Sequence, residues 1–128
     1  MTLKLIRLEM AEPPIEGRAA TREAYMFQAP LTAEGCVDPD AYAVLSSLCH
    51  MQRFVGSAAH GHGQLIRIER GWGFCCQAED DEDAELRLNT ESFAMGDEVA
   101  VTDASGETRR FRVVSISEVP LRQFGQRA

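Results

Sequence analysis

From residue 98 onward the chain alternates apolar and polar residues in two runs joined only by Asp103-Ala104-Ser105-Gly106. Val99 and Val101 on the first run match Phe111 and Val113 on the second, the pattern of a β-hairpin with one buried face. So short a connection allows only antiparallel pairing, because parallel neighbours need a crossover of a dozen residues or more. The same logic recurs upstream. QLIRIE at 64–69 and WGFCCQA at 72–78 turn at Arg70-Gly71, which predicts a hairpin with Ile66, Ile68, Trp72, Phe74 and Cys76 facing inward. Strands are also predicted at 2–10, with Ile6, Leu8 and Met10 in phase, at 22–29, with Tyr25 and Phe27 on one face, and at 85–89, with Leu86 and Leu88 inward. Phe93 precedes a turn through Gly96-Asp97.

One segment reads differently. Asp38-Pro39-Asp40 supplies an N-cap, a proline at the first helical position and an acid in the first turn. Val44, Leu45, Leu48, Met51 and Val55 then recur at three- and four-residue spacing, which predicts one helix over about 39–54 ending before Gly56. The stretch SAAHGHG at 57–63 reads as a flexible loop, 79–85 as a solvated connection and 121–128 as a frayed end. Six or seven short-linked strands and one helix predict a single α+β domain over residues 1–128. Its sheet is curved and mostly antiparallel, open or partly closed into a barrel. If the chain self-associates, the edge of the final strand is the expected contact.

Charge is uneven. Residues 79–98 hold nine acidic groups and one basic group, Arg87, for −8, whereas the whole chain sums to −7. A net-negative surface repels phosphate backbones and anionic headgroups, so nucleic acid and membranes are poor partners. No apolar run approaches the roughly 18 residues of a membrane span. The first ten residues lack a signal-peptide layout, with Lys4, Arg7 and Glu9 scattered through them. The expected location is the cytoplasm. There Cys36, Cys49, Cys75 and Cys76 are read as reduced, mostly buried thiols.

The opening KLIRLEM, the segment AYMFQAPL, the single capped helix ending in QRF and the closing GDEVAVTDASGETRRFRVVSISEV together resemble a family of short proteobacterial proteins of unknown function. The resemblance covers most of the chain and implies a small cytoplasmic α+β protein. It brings no activity, substrate or ligand set, so no residue role follows from it.

Four groups of residues bear chemistry. His50, His60 and His62, with Cys49 or a strand cysteine completing the set, have the ligand types of a zinc site, since His-x-His on an extended segment puts both rings on one side. Ser46 and His50 lie four apart, but neither a Gly-x-Ser-x-Gly elbow nor a third partner accompanies them. The run Glu79, Asp80, Asp81, Glu82, Asp83 and Glu85 lacks the spacing and central glycine of a calcium loop. It reads as a solvated surface or a dock for a basic partner. Tyr25, Phe27, Trp72 and Phe74 could line an apolar pocket, or simply fill the core. Arg110 and Arg112 share a strand face opposite Arg109, and such arginines lean on cross-strand carboxylates, here Glu98 or Glu107. The leading expectation is a non-catalytic binding or adaptor domain for another protein. The alternatives are a zinc protein or metal-dependent enzyme using the histidines, and an apolar-ligand pocket.

Overall fold

The structure, a computed structural model, describes residues 3–11, 23–69, 71–77 and 84–120, with only the backbone at 76, 77 and 84. Eight strands follow in chain order: β1 (Leu3–Met10), β2 (Glu23–Pro30), β3 (His50–Val55), β4 (Ala58–Ile68), β5 (Gly71–Gln77), β6 (Ala84–Leu88), β7 (Glu98–Thr102) and β8 (Thr108–Val119). Each pairs antiparallel with the next, and β8 returns to pair with β1, so the sheet is a closed barrel. Closure leaves no edge. Were the chain to self-associate, the last strand would not offer the whole free edge expected for the contact, because β7 pairs with it over Thr108–Arg112 and β1 over Phe111–Val119.

An eight-stranded barrel is just wide enough for its own side chains to fill. The rings of Phe111, Tyr25, Phe74, Phe27 and Phe93 run through it in contact, with centroids 5.2, 5.5, 5.0 and 5.3 Å apart in that order. Ile6, Leu8, Leu65, Val99 and Val113 close around them, all buried. The inward residues expected on β6, β7 and β8 are found there, since Leu86, Leu88, Val99, Val101, Phe111 and Val113 are all buried.

Two expectations were out of phase. The helix α1 covers only Pro39–Leu45, followed by one 3-10 turn at Ser46–Leu48. Its start is as predicted, with Asp38 Oδ1 accepting the N–H groups of Asp40 (3.0 Å) and Ala41 (3.2 Å), a cap worth about 1 kcal/mol. It stops early because His50–Val55 is needed as β3, the strand that bridges β2 and β4 and lets the barrel close. Met51 and Val55 satisfy both the helical stripe and a two-residue alternation, and pairing on both sides of the strand decides between them. Val44, in the middle of the expected stripe, is 67% exposed. Ser46 and His50 thus share no helix face, as one sits in the 3-10 turn and the other in a strand.

The supposed loop at 57–63 is the first half of β4, entered by a tight turn at Gly56 with φ +64°. In β4 the inward residue is Leu65, whereas Ile66 and Ile68 are half-buried on the outer surface. They lie beside Gly73, where a Cβ would strike the Leu86 carbonyl oxygen and touch Ile68 Cδ1. Ile66 pairs with Gly73 and Ile68 Cδ1 lies over it, so the isoleucines pack where the neighbouring strand carries no side chain. Arg70, Glu79 to Asp83 and 121–128 lie outside the described residues, as does the side chain of Cys76.

The two barrel ends differ. Helix α1 packs on the end nearest the β4–β5 turn: Ala41 is buried, Tyr42 packs edge-on against Trp72 at 4.9 Å, and its hydroxyl donates to the Leu65 carbonyl at 2.8 Å. The opposite end carries Glu23, Val55, Gln77, Ala84, Thr102 and Thr108 at the strand termini. No helix among the described residues is long and apolar enough to cross a membrane.

Candidate functional site

The histidines all fall outside the barrel. His50 and His62 are exposed on neighbouring strands, His50 opposite Gln64 and His62 opposite Gln52. His60 is the extra residue of a bulge, since Arg53 pairs with Gly61 and Phe54 with Ala59. Cys49 points the other way. It is fully buried, its thiol directed at the Leu45 carbonyl at 3.4 Å, so it cannot share a metal with the outward His50 ring. Among the described residues no group of three or more His, Cys, Asp or Glu is placed to hold a metal ion. Tyr25, Phe27, Trp72 and Phe74 are at most 3% exposed and lie in ring–ring contact.

Of the three cysteines described with side chains, one meets the expectation of mostly buried thiols. Cys36, Cys49 and Cys75 are free thiols, but only Cys49 is buried and the other two are half-buried. Burial pushes the Cys49 thiol up to about 11 from its ordinary 9.0, because the low-dielectric interior disfavours the thiolate. Burial also raises Tyr42, helped by the neighbouring Cys49. Iodoacetamide at pH 8 is expected to modify Cys36 and Cys75 well before Cys49, as followed by mass spectrometry. Cys49 ionises later folded than unfolded. Its contribution to stability is therefore complete below pH 9 and lost as pH rises from 9 to about 11. Urea unfolding across that range checks the sign. Equal alkylation of all three thiols would contradict this placement.

The end opposite the helix holds a charged cluster. Glu23, on the inward phase of β2 with Tyr25 and Phe27, has a side chain only 10% exposed. Its Oε1 accepts from Arg53 Nη2 at 3.1 Å, and its Oε2 meets Arg109 Nη1. Arg109 also reaches Glu107 Oε1 through Nη2 at 2.9 Å. Arg53 Nε is buried with no hydrogen-bond partner. Across the β3–β4 ladder Arg53 faces Gly61 and Met51 faces Gly63, so β4 contributes only hydrogens to the inner wall here. The glycines of the HGHG segment take the inner phase, which puts His62 outside.

Alternation carries part of this cluster. Glu23 lies two residues before Tyr25, and Arg109 two before Phe111, each on the phase of a buried ring. Arg53 was hidden by the helical reading of its segment. Arg110 and Arg112, outside the barrel, each come within 3.9 Å of Glu98 across the hairpin, as expected, whereas Arg109 bonds Glu107 two residues before it and not across the hairpin.

A surface concavity of about 460 Å³ lies at the same end, lined by Glu85, Arg87, Thr102, Asp103, Ala104 and Gly106. Asp103 Oδ1 accepts the Ser105 hydroxyl at 2.6 Å and the N–H groups of Ser105 and Glu107 at 2.9 and 3.1 Å. These bonds, the Ser105 hydroxyl foremost, hold its carboxyl below the usual range and keep a negative charge on the rim. Glu85 and Glu107 are exposed beside it, and Arg87 approaches Glu85 at 3.5 Å. Glu85 is the one residue of the acidic run within the described part. The run's other members connect Gln77 to Ala84, and both of these residues stand at this end.

Protein-family models, curated proteins and solved structures give no match to this chain.

Proposed function

We propose that this chain is a small cytoplasmic binding module, without a reaction of its own, that docks a basic surface of another protein at the barrel end opposite the helix. The observation that carries this reading is the convergence of carboxylates there. Glu85 and Asp103 line one concavity, Glu107 is exposed next to Asp103, and the run Glu79, Asp80, Asp81, Glu82 and Asp83 lies in the sequence between Gln77 and Ala84, which both stand at this end. The interior is filled by its own rings, which leaves the surface to do the recognising. A Lys or Arg side chain entering the concavity would meet Glu85 and the ordered Asp103 carboxylate, with Arg87 already engaged by Glu85. Such contacts are solvent-exposed, so they steer and select a partner more than they hold it, and salt weakens them.

The test is affinity capture with the wild-type chain and with a variant carrying Gly/Ser at 79–83 and at Glu85. The reading predicts that the variant loses basic partners, and that these elute from the wild type between roughly 0.1 and 0.5 M salt, where the screening length shrinks well below 10 Å. An unchanged set of captured proteins would contradict it.

A further inference from the structure

We propose that the barrel end opposite the helix also holds a site for the oxyanion of a carboxylate or phosphate group, with Arg53 as its principal donor. The argument starts from a donor without an acceptor. Arg53 Nε is buried and unpartnered, although Nη2 of the same guanidinium bonds Glu23 at 3.1 Å. A buried N–H left unpaired carries the full loss of its hydration, and among the described residues no other buried side-chain nitrogen or oxygen is in that state. Guanidinium N–H groups are arranged in a rigid fork that matches the oxygens of a carboxylate or phosphate. An oxyanion would complete what Glu23 begins.

Space agrees. The positions facing Arg53 and Met51 on β4 are Gly61 and Gly63, so the β4 wall beside the guanidinium carries no side chain. Glu23 shares its single charge between Arg53 and Arg109, and Glu107 gives Arg109 a second carboxylate, so the draw for an anion is the unpaired Arg53 donor and not a net positive charge. Arg109 divides its donors between Glu23 and Glu107, and this leaves Arg53 as the arginine with a donor to spare. The site is distinct from Glu85, whose ion pair is with Arg87.

The experiment follows the arginine Nε–H resonances of uniformly 15N-labelled protein. Inorganic phosphate and acetate are titrated in separate arms against chloride at constant ionic strength. The Arg53 signal, assigned by its disappearance in Arg53→Lys, is expected to move saturably with at least one anion. The arm that responds distinguishes phosphate from carboxylate chemistry. Arg53→Lys keeps the charge and loses the fork, and should weaken binding at least tenfold, read from backbone amide shifts. Gly61→Ala is a second variant: Gly61 is not among the positive-φ glycines, so the backbone accepts alanine while the added methyl narrows the wall. It should weaken binding with every charge unchanged, and the melting curve of each variant confirms folding. Failure of both anions to move the Arg53 signal beyond chloride, or equal binding by Arg53→Lys, would overturn the proposal.

Discussion

Truncating Phe74 to alanine is expected to lower stability by about 3–5 kcal/mol, the range for a fully buried aromatic whose site cannot collapse. Phe74 is 0% exposed and touches both Tyr25 and Phe27 at centroid distances of 5.5 and 5.0 Å. It also stands opposite Leu65 on one side and Leu86 on the other. A barrel closed by hydrogen bonds on every strand cannot shrink locally to fill the void, so the cavity term adds to the lost burial. Set against a total of about 5–15 kcal/mol for a domain of ordinary stability, this brings the protein close to unfolding. The urea midpoint of the variant reads the effect. A loss below about 1.5 kcal/mol would mean that the ring stack is not the core.

Glu23→Gln is expected to cost about 2–3 kcal/mol, less than the 3–5 typical of breaking a fully buried ion pair. The change is nearly isosteric, so packing stays constant while Arg53 and Arg109 lose the anion between them. Their side chains are 29% and 43% exposed, and water reaching them softens the penalty. Replacing Glu23 and Arg109 together, as Glu23→Gln with Arg109→Gln, should recover part of the loss, since it removes the repulsion along with the attraction. Urea unfolding of the two single variants and the double variant measures the coupling. Strict additivity, or a Glu23→Gln effect within 0.5 kcal/mol of zero, would show that the cluster is an incidental surface contact.

The hairpin ending in β8 was legible because its turn is short and Val99 and Val101 match Phe111 and Val113 in phase, whereas the irregularity at Val114 that re-phases the rest of β8 was not. The β4–β5 hairpin was legible in position but not in phase. Leu65, Ile66 and Ile68 are all apolar, so local alternation does not choose the phase; in the fold Leu65 stands opposite the buried Phe74 and the isoleucines lie outside against the bare backbone of Gly73. The 39–54 segment misled for a deeper reason. Helical and strand periods both accommodate Met51 and Val55, and the deciding interaction is pairing with residues 23–27 and 58–64, which no local window contains. That error also hid the site: with residue 53 on a helix, nothing connects it to Glu23 or to the glycines of HGHG. The acidic run, by contrast, was legible as charge, and the fold adds where its two ends are anchored.

Amide hydrogen exchange on the chain alone and on its complex with a captured basic partner tests the central claim most directly. Docking at the end opposite the helix predicts slowed exchange at Ala84–Leu88 and across 102–108. Unchanged rates are predicted around Pro39–Leu45 and through 89–97. Protection confined to the helix end of the barrel would contradict the account.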